Sequence, residues 1–192
     1  NSSTAALINS WWITNTKLQF MERNAHVRDS GVWNFTNTLD GWLGVRNHLA
    51  TTASAMMVTA SGVADGNISV FGQNFNGGDY RYVMMRLKRL DSGSSWDGVQ
   101  YYDTASHGAS NSYYLLIPEP AGMSSDYVIA VWDMHNLTAG GADWRDNTIT
   151  GLRFEMGEQA VNSSQFSIDW IDYGSDRVFD SRSTTVHSVM LI

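Results

Sequence analysis

Apolar residues in this chain recur at every second position in short runs, and clusters of Gly, Asn, Asp and Ser separate the runs. A period of two belongs to strands, whose successive side chains point to opposite faces; a helix would return its apolar residues every three or four positions. The pattern predicts ten strands, at residues 32–35, 55–60, 67–71, 80–90, 98–102, 112–117, 126–134, 148–156, 165–173 and 184–191. In the fourth, Arg81, Val83, Met85, Leu87 and Arg89 share one face, and Tyr80, Tyr82, Met84, Arg86 and Lys88 share the other. In the ninth, unbroken alternation puts Phe166, Ile168 and Trp170 on one face and Ser167, Asp169, Ile171 and Tyr173 on the other. Many short strands with Gly- and Asn-rich connections predict an all-β fold, an antiparallel β-sandwich of the jelly-roll kind.

The pattern changes at both ends. Trp11-Trp12-Ile13 is an apolar patch with no domain around it, and residues 18–28 suit a strand or a short helix. The chain closes on Val189-Met190-Leu191-Ile192, four apolar residues that water would not accommodate well. We therefore divide the chain into an N-terminal arm (1–29), the sandwich (30–176) and a C-terminal arm (177–192). The arms are expected to pack on the sandwich or on a neighbouring subunit, which points to a homo-oligomer or to attachment to a larger assembly.

Composition narrows the partners. The 192 residues are 43% hydrophobic, with eight Trp, eight Tyr and seven Phe, enough to build a self-sufficient core. With 17 Gly and two Pro, glycine does most of the turning. A net charge of −7 argues against a nucleic-acid partner, since phosphate neutralisation needs excess Lys and Arg. The one basic cluster, Arg86-Leu87-Lys88-Arg89, reads as a solvated strand edge. No apolar run approaches the ~20 residues of a membrane span, so membrane insertion is not expected. The absence of cysteine and a first residue other than Met suggest a processed piece of a longer, microbial or cytosol-assembled protein.

Catalytic signatures are scarce. The sequence has no Cys nucleophile, no Gly-x-Ser-x-Gly elbow and no phosphate-binding loop. Its five histidines lack metal-ligand spacing, and acidic pairs such as Asp169 with Asp172 arise in any chain with 19 acids. No enzymatic activity is expected. Binding has more behind it. Flat aromatic rings stack on the apolar faces of sugars while nearby polar groups satisfy the hydroxyls. Aromatics in or beside Gly/Asn/Ser-rich loops are the candidates: Phe75 and Tyr80 around Asn74–Gly78, Trp96 before Asp97-Gly98, and Tyr101. Trp96 leads them, while Trp33, Trp42, Trp132, Trp144 and Trp170 are assigned to the core.

The order of motifs resembles a known family. Trp33-x-Phe35 followed by Gly41-Trp42 is similar to the first strand and turn of the carbohydrate-binding-module-like, or galactose-binding-like, jelly rolls. Tyr80 to Lys88 resembles their central strand. His107-Gly108, Ser112-Tyr113-Tyr114 and Ile117-Pro118 look like a variant found in bacteriophage structural proteins. Tyr127-Val128-Ile129, Asp133-Met134, Trp144, Ile149-x-x-Leu152-Arg153-Phe154 and Phe166-x-Ile168-Asp169 complete the order, so the resemblance spans residues 31–174. It implies a non-catalytic virion protein, such as a tail fibre or capsid decoration, that contacts host-surface glycans or braces the particle beside other virion proteins. Such a protein would be assembled in the bacterial cytoplasm. Two alternatives stand beside it: a secreted carbohydrate-binding module of a bacterial polysaccharide-degrading enzyme, and a jelly-roll lyase or hydrolase. The resemblance also implies a structural Ca²⁺ held by Asp169 in the last strand, with Asp40 or Asn34 as partners, although residues 32–36 lack the family's early acidic ligand.

Overall fold

The computed structural model describes residues 26–27, 32–61, 66–91, 95–157, 164–175 and 178–179. The boundaries expected between arms and sandwich lie outside these residues, as do most of both arms and the tenth expected strand.

Ten strands form two five-stranded antiparallel sheets. Sheet I holds β2 (Leu43–Val45), β5 (Gly66–Asn76), β10 (Thr148–Gly157), β7 (Val99–Thr104) and β8 (Tyr114–Leu116), in that order. Sheet II holds β3 (Asn47–Thr51), β4 (Met56–Ala60), β11 (Gln165–Gly174), β6 (Tyr82–Arg89) and β9 (Val128–Asp133). A short parallel pair, β1 (His26–Val27) with β12 (Val178–Phe179), stands apart. This is the sandwich the alternation predicted. One turn of helix, α1 (Asp143–Asp146), precedes β10.

The core lies between the sheets. Val83, Met85 and Leu87 of β6 face Leu152 and Phe154 of β10, with Trp42, Trp132 and Trp144 filling the remaining space. Two of these three core indoles have a partner for the N–H. Trp132 donates to the Gly98 carbonyl at 2.9 Å and Trp144 to the Tyr80 carbonyl at 2.8 Å.

Two expectations are corrected. Strand pairing in the first expected run shrinks to a single bridge, Trp33 with Ile171, because Phe35 turns away with φ 54°. In β11, Ile168 pairs with Leu87 but Trp170 with Arg86, so Asp169 is an extra residue. That β-bulge reverses the alternation. Ile171 and Tyr173 join Phe166 and Ile168 on the core side, and Trp170 turns outward.

Candidate functional site

Sheet I has an outer face whose side chains the register sets in rows. One row runs Val45, Asn67, Glu155, Val99, Leu116 across the five strands. The next runs Leu43, Ser69, Arg153, Tyr101, Tyr114. A third, shorter row runs Phe71, Gly151, Asp103. At ~4.8 Å between strands the longer rows span about 19 Å, room for several linked sugar rings.

The rims of this face are apolar and the middle is polar. Leu43 and Val45 are exposed at one edge and Leu116 at the other. Between them the polar side chains hold one another in place. The Ser69 hydroxyl donates to Asn67 Oδ1 at 3.0 Å, and the Arg153 guanidinium pairs with the Glu155 carboxylate. Arg153 also sits 5.1 Å from the centre of the Tyr101 ring, a cation–π contact. The Tyr101 hydroxyl donates to Asn111 Oδ1 at 3.0 Å. Burial, and then the neighbouring Glu155 carboxylate, push the Tyr101 phenol up to about 12, so it is a neutral donor at ordinary pH.

Phe71 dominates the third row. It is 59% exposed, the most exposed large apolar residue among those described. Beside it β5 departs from regular pairing, since Ile149 is opposite Phe75 while Gly151 is already opposite Phe71. Gly72, with φ 74°, lies in that irregular stretch. Beside it lies a shallow, open groove of about 580 Å³ lined by Phe71, Gly72, Asp103, Thr150 and the loop from Thr104 to Gly108. Gly151 stands between Phe71 and Asp103 in the row. A Cβ there would stand 2.4 Å from Asp103 Oδ2 and 3.2 Å from Phe71 Cδ1, so any side chain would displace the carboxylate and crowd the ring.

The groove's loop is held firmly. The Thr104 amide donates to the His107 carbonyl at 2.9 Å, and the Ser106 amide to Thr104 Oγ1 at 3.1 Å. The His107 ring stacks on Tyr113 at 3.6 Å and meets Asp143 Oδ2 through Nε2 at 2.7 Å. Tyr102 donates to the same carboxylate oxygen at 2.9 Å, while Asp103 Oδ1 accepts from the Ala109 amide. His107, which lines the groove, is thus fixed through Asp143, which Tyr102 also holds.

The four aromatics expected to carry sugar are dispersed. Tyr101 lies on this face. Trp96 is half-buried at an end of the sandwich, packed 6.3 Å from Trp132 and donating its indole N–H to the Ile117 carbonyl at 3.0 Å. Phe75 is buried, stacked on Tyr173 at 4.1 Å with Tyr80 and Trp144 against its edges. Tyr80 belongs to that same aromatic cluster.

The acids expected to hold calcium have other partners. Asp169 Oδ2 accepts from Arg86 at 2.7 Å, so a guanidinium stands where the cation was expected. Asp40 Oδ2 accepts from the Phe35 amide at 3.3 Å. No group of three or more His, Cys, Asp or Glu able to hold a metal occurs among the described residues. This donor set does not fit a calcium shell of six to eight oxygens.

Sequence reasoning did not single out Phe71, Asp103, Arg153 or Glu155. The signal was present in part: with Ile68 and Val70 inside, alternation puts Asn67, Ser69 and Phe71 outside. Which outer face carries a site depends on strand order, which one strand's alternation does not encode.

No known family and no curated protein matches the chain. Among solved structures it is similar to a family 29 carbohydrate-binding module from Piromyces equi, at 12% identity and a TM-score of 0.52, over 75% of this chain and 87% of that one. A single-residue variant of a family 29 module complexed with cellulohexaose matches at 12% identity and 0.50, over 74% of this chain and 87% of that one. A Clostridium thermocellum xylanase fragment, a family 22 module joined to its GH10 module and complexed with xylohexaose, matches at 14% identity and 0.52. That match covers 87% of this chain and 30% of that one. At these identities the likeness shows the fold: this is the jelly roll of carbohydrate-binding modules.

Proposed function

We propose that this chain is a non-catalytic carbohydrate-binding module that holds a neutral, linear, β-linked glycan across the outer face of sheet I. The observation that carries the reading is Phe71, an exposed ring beside Gly151 with the Asp103 carboxylate close by. A sugar ring stacks on such a surface through its apolar face while its hydroxyls reach Asp103. Further along the face, Arg153 is the half-exposed polar group, fixed by buried Glu155 and Tyr101, and it offers a donor to a following ring.

Charge favours an uncharged ligand. Asp103 and Glu155 lie on this face against the single cation Arg153, which is already paired. An anionic polysaccharide would meet net negative potential, so neutral chains such as the cello- and xylo-oligosaccharides bound by the two neighbouring structures are the better fit. The carboxylates are tied as acceptors, Glu155 by Arg153 and Asp103 by a backbone amide, an arrangement suited to receiving hydroxyls. The virion role expected from the sequence rests on the missing cysteine, the first residue, the His107-Gly108 motif and the terminal arms, most of which lie outside the described residues. The neighbours named above are carbohydrate-binding modules, one of them joined to a xylanase, and the module reading is accordingly the better supported.

Isothermal titration of the whole chain with cellohexaose and xylohexaose tests the proposal. Binding to at least one is expected. Phe71→Ala should weaken it tenfold or more, a loss of about 1.4 kcal/mol. Stability should stay within about 0.5 kcal/mol, because the ring is mostly in water. If no neutral β-linked glycan binds, in titration or on an array, the module reading is wrong. Unchanged affinity in Phe71→Ala would move the site off this face.

A further inference from the structure

The fold uses only half of the Asp103 carboxylate. Oδ1 accepts from the Ala109 amide, whereas Oδ2 has no hydrogen-bond donor among the described residues. Oδ2 lies 2.4 Å from the point that a Gly151 Cβ would occupy, and Phe71 Cδ1 lies 3.2 Å from the same point. The charged oxygen therefore stands just off the rim of the exposed ring. Nothing lining the groove offsets that charge. His107 is the one base among the lining residues, and its ring nitrogens are turned to the Gly108 carbonyl at 3.2 Å and the Asp143 carboxylate at 2.7 Å. Arg153, on the same strand as Gly151, is paired with Glu155. A half-buried carboxylate oxygen without a donor is stabilised by a ligand that brings one, and most strongly by a cationic donor. The chain's net charge of −7 adds a longer-range attraction of the same sign.

We propose that this groove binds a β-linked chain of sugars bearing free amino groups more tightly than a neutral chain of the same length, with Asp103 as the residue that sets the preference. The inference rests on the reading of sheet I as the glycan face and names the sugar class that suits its groove best. Equatorial substituents of a pyranose project outward, close to the mean plane of the ring. When such a ring stacks on Phe71, they extend past the aromatic edge, which is where Asp103 Oδ2 stands. A hydroxyl at that position donates one hydrogen bond. An ammonium group at the same carbon donates as well and brings the opposite charge, a contact roughly twice as strong. Acetylation of the nitrogen removes that charge, so an N-acetylated chain has no such advantage. The field that turns away anionic polysaccharides therefore draws in cationic ones. A basic peptide would bring the charge without the flat apolar ring face that Phe71 matches, which makes the amino sugar the better fit.

Isothermal titration of the whole chain tests this with a β-linked glucosamine hexamer, its N-acetylated counterpart and cellohexaose, at a mildly acidic pH where the sugar amines carry protons. The glucosamine chain should bind at least about fivefold more tightly than either neutral chain. That ratio should shrink as ionic strength rises from about 0.01 M to about 0.15 M. Asp103→Asn keeps an acceptor for the Ala109 amide and removes the charge. It should bring the ratio close to one, whatever it does to the neutral affinity. Asp126→Asn, at an exposed position in the loop before β9, should leave the ratio as it was. Equal affinities in the unaltered chain, a ratio that survives Asp103→Asn, or an equal loss in Asp126→Asn would each overturn the proposal. Hexalysine binding as tightly as the glucosamine hexamer would do the same, since charge alone would then suffice. Cellohexaose binding with no preference for the amine would leave the glycan face standing and remove this inference alone. Absence of binding by all three sugars would remove both.

Discussion

Gly151 shows how a single residue shapes the binding face. It has no Cβ, and the space one would fill is taken by the Asp103 carboxylate, by the Val70 carbonyl at 3.1 Å and by the edge of Phe71. Gly151→Ala should therefore displace both Asp103 and the ring. The carboxylate can rotate away but the carbonyl belongs to the neighbouring strand, so we expect a loss of about 1 kcal/mol in stability. Glycan affinity should fall several-fold, read by melting and titration together. A variant that loses stability and retains affinity would separate the glycine from the site. Tyr101 gives a prediction of a different kind. Burial raises its phenol to about 12, and burial also leads the causes that raise Tyr102 and Tyr173. In the unfolded chain these groups release their protons near pH 10. Above about that pH the unfolded state holds fewer protons than the folded one, so stability declines as pH rises. The melting temperature should fall progressively above pH 10 while phenolate absorbance lags behind that of the denatured protein. Full titration of all the tyrosines near pH 10 in the native protein would contradict this.

At the scale of elements, β10 carries the sandwich. It lies between β5 and β7, turning Leu152 and Phe154 inward and Arg153 and Glu155 outward. Leu152→Ala should cost about 2–5 kcal/mol, because the side chain is fully buried and neighbours on both flanks restrict collapse. Leu116→Ala, on an exposed edge position of the same sheet, should change stability by less than about 0.5 kcal/mol. Chemical denaturation of the two variants checks the contrast. The same elements show what the sequence made legible. Strands β4 to β11 stand within a few residues of the runs that alternation and turn residues predicted, since most of them bury one clean face. Strands β2 and β3 were missed because Arg46 alone, with φ 56°, carries the chain from one sheet to the other, and no Gly or Pro marks the change. The bulge at Asp169 was missed for a related reason. An extra residue in a strand leaves no local signature when both Trp170 and Ile171 are apolar, and the cost was assigning Trp170 to the wrong side of the sheet.

For the whole molecule, the informative asymmetry lies between its two outer faces. Sheet I presents an exposed ring and a shallow groove beside buried, hydrogen-bonded polar groups; sheet II hides a tryptophan and a methionine that point outward. The fold class was legible because period-two alternation persists through most of the chain. The site was legible only as a chemistry of aromatics beside polar groups. Trp96 and Phe75 looked like loop platforms, and loops at the ends of a sandwich can equally fold their rings onto the core, as both do. Choosing among 23 aromatics requires knowing which rings the tertiary structure leaves in water. The measurement that bears most directly on the account is a backbone amide NMR titration of the uniformly labelled chain with xylohexaose and cellohexaose. The account predicts shifts concentrated on Phe71, Gly72, Tyr101, Asp103, Gly151 and Arg153, with sheet II unmoved. Shifts centred on Trp96, or on the Met84 and Trp170 side of the sandwich, would contradict it.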